Sequence, residues 1–381
     1  MIMPLVPLAL VVSLLALTAG GCSRSDSAPE LLVVGAVEDA AKSGDPDAKM
    51  ALARRARYGA VVLSSVWTPP LEAPPPAELR ALQGAAAAAA AAGIRPIAAV
   101  YSFSAVTPTS PEARGQFATY TAALARAMPT VRDVIVGNEP NLNLFWMPQF
   151  AADGSNPAAA SYLALLAESY DALKQVSPEL NVIGGSLSAR GSDDPAAPRP
   201  THSPTRFIRD LGAAYRASGR DDPVMDMFSL HPYPENSSVP PGFTHPRSTS
   251  IGIADYDKLV ALLGEAFDGT GQPGSSLPIV YGEYGLQTVI PPGKGNVYSG
   301  AEQPTTKPID EEAQGAAYAA AIAVAACRPT VRMLLFFHVS DEPQLERLQT
   351  GVFYADDTPK ASLERVAQAA HAAELGQISC D

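Results

Sequence analysis

The sequence predicts an α/β fold, a single-domain (β/α)8 barrel of the TIM type, and three observations carry that reading. From residue 31 onward, short apolar runs alternate with longer helical patterns, which argues for parallel strands joined by helical crossovers. Eight such strand–helix units follow one another, the number that closes a barrel. The first run leads into Val37-Glu38-Asp39 and not into a glycine-rich dinucleotide fingerprint, which weighs against the rival, an open doubly wound sheet.

The expected strands are 31–37, 60–66, 94–101, 131–136, 181–187, 225–230, 277–281 and 331–337. The expected helices are 48–58, 77–92, 112–128, 158–176, 204–217, 254–267, 311–326 and 363–373. Ser110 before Pro111-Glu112 and Asp310 before Glu311-Glu312 read as helix caps. The alanine run 85–92 reads as a helix made of the best helix former. The chain spends about 44 residues per unit, against about 31 in a minimal barrel. The excess follows strands five to seven, in segments 188–203, 234–253 and 286–309, rich in Pro, Gly, Ser and Asp. A barrel puts all three on the face that carries active sites.

Composition narrows the function. Of 381 residues, 47% are hydrophobic and 17% charged, enough for a sizeable core. A net charge of −12 with no Lys/Arg run argues against nucleic acid or an anionic membrane surface as partner. The 36 prolines cluster between the expected elements, as at Pro69-Pro70 and Pro74-Pro75-Pro76. Scattered histidines and the lack of His-x-x-x-His or a cysteine pair give no zinc pattern, so no metal is expected. Ser192-Asp193-Asp194 reads as a solvated loop, and no Gly-x-Ser-x-Gly elbow points to a serine hydrolase.

The amino-terminal residues are apolar, and the run from Leu5 to Leu17 is shorter than the roughly 20 residues of a membrane span. With Ala19-Gly20-Gly21 before Cys22, segment 1–22 resembles a lipoprotein signal in which Cys22 is lipidated; an ordinary secretory signal is the alternative. Residues 23–30 then form a tether, and 31–381 the catalytic domain. Both alternatives export the chain, and a lipid anchor is the only expected membrane contact. Export permits a disulfide between Cys327 and Cys380, which would staple the carboxyl-terminal end to the last unit. Spacing alone does not bring the two together.

Glu139 ends the fourth strand in Val136-Gly137-Asn138-Glu139, and Glu283 ends the seventh in Tyr281-Gly282-Glu283. Strand ends in barrels carry catalysis, and the separation of the two glutamates fits three units of about 44 residues. Two carboxylates facing across a barrel mouth suit glycoside hydrolysis: one donates a proton to the leaving oxygen, the other attacks the sugar carbon. Trp67, Tyr101, Phe103, Phe145, Trp146 and Tyr284 fall near strand ends and are candidate stacking surfaces for sugar rings.

On these residues the sequence resembles the clan of retaining (β/α)8-barrel glycoside hydrolases that contains the family 5 and family 39 glycosidases. The likeness in unit order spans residues 31–375. It implies that Glu139 is the acid/base, that Asn138 holds the sugar 2-hydroxyl, and that Glu283 is the nucleophile. His231 and Tyr233 of Ser229-Leu230-His231-Pro232-Tyr233-Pro234 match a His-x-Tyr after strand six; the resemblance has the tyrosine bonding the nucleophile and the histidine near the acid/base. His338 or Phe337 stands where the clan carries a tryptophan, and no arginine follows strand two. No cofactor is needed, the partner is a carbohydrate, and retention requires carboxyl groups about 5–5.5 Å apart. A transglycosylase and a non-catalytic carbohydrate-binding lipoprotein are the alternatives.

Overall fold

Eight parallel strands pair in sequence order and the last closes on the first: β1 (Val33–Val37), β2 (Ala60–Val66), β3 (Arg95–Tyr101), β4 (Asp133–Val136), β5 (Asn181–Ser188), β6 (Met227–His231), β7 (Ile279–Tyr284) and β8 (Val331–Phe337). Each strand is followed by one long helix: α1 (Pro46–Arg55), α2 (Pro76–Ala91), α3 (Pro111–Ala127), α4 (Pro157–Val176), α5 (Pro204–Ser218), α6 (Tyr256–Phe267), α7 (Glu311–Ala326) and α8 (Leu363–Glu374). This is the (β/α)8 barrel expected from the sequence. The computed structural model describes Met1 and residues 31–380. The apolar segment, Cys22 and the tether lie outside the described residues. No helix among the described residues is long and apolar enough to cross a membrane.

Side-chain alternation sorts the core into two layers. Val37, Ala60, Val62, Ile97, Ala99, Ile135, Ile183, Val280, Met333 and Leu335 fill the barrel interior. Their strand neighbours, such as Val61, Leu63, Val100, Val134 and Leu334, pack outward against the helices. The bottom of the barrel is polar: Arg95 pairs with Asp133, which also accepts from Asn181 Nδ2 at 2.9 Å. In α2 the alanines at 85, 86 and 89 are buried, so the low-complexity run is a close-packed helix face.

Helix starts differ from expectation in one respect. Five helices, α1 to α5, open on proline (Pro46, Pro76, Pro111, Pro157, Pro204), so some prolines lie inside the elements and not only between them. A first-turn proline gives up an N–H that has no intrahelical partner, and its fixed φ suits the helix. Ser110 and Asp310 do cap, accepting from the amides of Ala113 and Ala313. Cys327, at the end of α7, is bonded to Cys380 with their Cα atoms 5.3 Å apart, which ties the carboxyl-terminal segment to the last unit.

Candidate active site

The carboxyl ends of the strands gather the ionisable residues into one mouth. Gly137 follows β4 at φ +86°, a conformation open to glycine, and a Cβ there would meet Tyr162 at 2.8 Å. The Tyr162 hydroxyl donates to the carbonyl of Val136 at 2.8 Å and accepts from the amide of Gly185 at 2.9 Å, pinning the ends of β4 and β5. Glu139 itself sits at φ +38°, and its amide donates to the Ser186 carbonyl at 2.9 Å. Ser186 lies where the β5–β6 register shifts. A second register shift, between Tyr281 and Tyr284, falls at Glu283. Such irregularities re-aim a side chain, and both glutamates have one beside them. Gly282 makes room as well: a Cβ there would lie 2.4 Å from Ser229 Oγ and 3.1 Å from the His231 ring.

His231 joins the two acids. Its Nδ1 lies 3.3 Å from Glu139 Oε1 and 3.7 Å from Glu283 Oε2. The Tyr233 hydroxyl donates to Glu283 Oε2 at 3.1 Å. Thus Glu139, Glu283, His231 and Tyr233, expected from strand-end position and resemblance, form one connected cluster. Burial raises the Glu283 carboxyl; His231 opposes that, the neighbouring Glu139 adds to it, and the Tyr233 hydrogen bond and His338 oppose it. Burial alone would lower His231, but Glu283 and Glu139 outweigh it and hold the imidazole above its ordinary value. Tyr233 is pushed well up by burial and by both carboxylates, so it remains a neutral donor. Asn138 is half-buried beside the cluster, and no hydrogen bond from another described residue occupies its amide.

The last strand contributes Phe337 and His338. Phe337 packs half-buried on the interior core, with the His338 ring tilted against it at 3.6 Å between ring centroids. Burial would lower His338, but Glu342, at 3.6 Å from its Nε2, and the more distant Glu38 and Glu283 raise it. Two residues near this mouth were not expected from the sequence. Glu38, just past β1, is 2% exposed; burial pushes its carboxyl from the ordinary 4.5 to about 7, and its Oε2 has no hydrogen-bond partner. Arg190, just past β5, donates to the Tyr233 carbonyl at 2.7 Å; burial lowers its guanidinium, against Glu235 and Glu139. Both follow a strand end, but that position alone does not separate them from the other charges that do.

The aromatic expectations divide. Trp67 is fully buried, edge-on to Phe117, with its Nε1 donating to the Leu71 carbonyl at 2.8 Å. Trp146 is 3% exposed, edge-on to Tyr162, with its Nε1 donating to Ser161 Oγ at 2.9 Å. Tyr284 is buried against Tyr318 and Phe336. None of the three offers a face to a sugar. The loops of Trp67 and Trp146 fold back onto α3 and α4, and Tyr284, the last residue of β7, packs on α7 and β8; large rings gain most by leaving water. Tyr101, Phe103 and Phe145 stay at the mouth. A cavity of about 860 Å³ opens at the other end of the barrel, lined by Arg54, Arg57, Tyr58 and Ile94, far from the paired acids.

No protein-family model and no curated protein sequence matches the chain. Solved structures do match its fold. A family 39 glycoside hydrolase from Bacteroides cellulosilyticus WH2 superposes with a TM-score of 0.62 at 19% identity, over 90% of this chain and 64% of that one. The family 39 enzyme from Xanthomonas axonopodis pv. citri gives 0.55 at 16%, over 90% and 67%. A GH5-4 broad-specificity endoglucanase from Clostridium longisporum gives 0.54 at 11%, over 87% and 86%. The chain therefore spans about two thirds of the family 39 proteins it resembles. At these identities the likeness is one of fold alone, the (β/α)8 barrel.

Proposed function

We propose that the protein hydrolyses O-glycosidic bonds with retention of configuration, using Glu283 as nucleophile and Glu139 as acid/base. The observation that carries this reading is the convergence of both carboxylates on one imidazole nitrogen, at 3.3 and 3.7 Å, at the ends of β4 and β7. Two acids around one ring suit the short separation of retaining enzymes. Glu283 attacks the anomeric carbon as Glu139 gives its proton to the departing oxygen. Glu139 then takes a proton from water, which attacks the glycosyl-enzyme and frees Glu283. The Tyr233 hydroxyl holds Glu283 in line, and the His231 ring, within reach of both acids, orients the pair. Asn138 supplies a free amide for a sugar hydroxyl. Where a second sugar replaces water as acceptor, the same groups transfer the glycosyl unit.

A panel of aryl glycosides, run with the purified protein and with Glu283→Gln, tests the reading. Turnover of one member that disappears in the variant supports it; an intact panel, with intact glycosyl fluorides, refutes it. The apolar segment 1–22 supports a companion proposal: the chain is exported and held at a membrane by lipid on Cys22. Palmitate incorporated during bacterial expression and lost in Cys22→Ala is the expected result.

A further inference from the structure

Large apolar side chains are unevenly exposed. Among the described residues eight large apolar side chains are exposed, and three of them, Phe103 (44%), Leu144 (57%) and Met147 (41%), lie in the loops after β3 and β4. These two loops are joined: the Ser104 amide donates to the Leu144 carbonyl at 3.1 Å, and the Met147 amide to Thr107 Oγ1 at 3.1 Å. Phe103 and Phe145 stack with centroids 5.6 Å apart, and Tyr101 packs edge-on against both at 5.7 and 5.9 Å.

This surface follows the proposed acid/base along the chain. The Leu142 amide donates to the Glu139 carbonyl at 2.8 Å, and the Phe145 amide to the Leu142 carbonyl at 3.2 Å, so two successive turns carry the chain from Glu139 to the ring. At the inner end, Tyr101 closes β3, the strand paired with β4. An isolated exposed apolar residue needs no explanation, but a contiguous patch at the rim of a cleft marks a binding surface.

We propose that the Phe103–Phe145 rim, with Leu144 and Met147, is the subsite for the leaving group, and that the natural substrate is a glycoside with an apolar alkyl or aryl aglycone. The inference rests on the hydrolase reading above. It follows from position: the group that departs must leave from beside the residue that protonates it, and this rim follows Glu139 by two turns of the same loop. The surface within it is carbon. A second sugar would present hydroxyl groups at its edge, and these four side chains provide no hydrogen-bonding group for them.

Methyl and n-octyl glycosides of the sugar selected by the aryl panel test the proposal, since their leaving alcohols are of similar basicity. Below the micelle concentration of the octyl compound, its kcat/KM should exceed that of the methyl compound at least tenfold. In Phe103→Ala, an exposed position, the ratio should fall severalfold. In the double variant with Phe145→Ala it should approach one, with melting curves checking the fold. A wild-type ratio near one, or a ratio that survives both substitutions, overturns the proposal while glycosyl fluoride turnover keeps the hydrolase reading. Intact fluorides refute both. Adsorption to zwitterionic vesicles that disappears in the double variant, with a ratio near one, reassigns the rim to a lipid surface and also overturns the proposal.

Discussion

At the scale of single residues, the site is a balance of charge. Two carboxylates share the mouth with His231, and Tyr233 adds a neutral donor to Glu283. Tyr233→Phe removes that donor and nothing else from the first turn of the loop. A hydrogen bond to a charged group is worth about 1.5–3 kcal/mol, so kcat should drop roughly 10- to 100-fold with little change in the fold. Steady-state kinetics on the best aryl glycoside measure it. Glu38 gives a stability test. Its folded carboxyl holds its proton up to about 7, against 4.5 ordinarily. Between those values the folded protein binds the extra proton, so this group's contribution to stability declines as pH rises through that window, and the loss is complete above it. Glu38→Gln should therefore match the wild type near pH 4 and exceed it at pH 8 by up to about 3 kcal/mol. Equal melting shifts at both pH values would contradict the burial argument. Glu139 and Glu283 were legible because each follows an apolar strand and a glycine. Glu38 and Arg190 were not, because a lone charge past a strand looks like any solvated loop residue. Their burial comes from neighbouring strands and loops.

At the scale of elements, strand order and helix order were readable from alternation alone, and β2, β8 and α7 keep the boundaries the pattern gives. Strand β7 runs on to Tyr284 because a register shift, invisible in one sequence, lets the chain stay in the sheet past Gly282. The tryptophans misled for a related reason. Trp67 and Trp146 do lie in loops at the carboxyl ends of the strands, but their partners, Phe117 and Tyr162, are on helices that only the tertiary fold brings up. The bridge between Cys327 and Cys380 closes a loop with a sequence separation of 53. A loop of that length restricts the unfolded chain by about 4 kcal/mol in the entropy account. Cys327→Ser should lower the melting temperature markedly, and dithiothreitol should lower that of the wild type by a similar amount while leaving the variant unmoved.

At the scale of the whole molecule, the barrel separates stability from chemistry. Polar groups at the bottom, from Arg95, Asp133 and Asn181, hold strands together, while the acids of β4 and β7 face the long loops. Those loops are fastened to each other, as where the Ser237 hydroxyl accepts from the Gln287 amide at 2.8 Å, so the mouth is framed by the fold rather than by one segment. The central claim is that Glu283 forms a covalent bond to the sugar. Incubation with the activated 2-deoxy-2-fluoro glycoside of the preferred sugar, followed by mass spectrometry of the digested protein, tests it most directly. The account predicts one added fluoroglycosyl group on the peptide containing Glu283. An adduct on another residue, or turnover of the parent glycoside with no adduct and an inverted product, would contradict it.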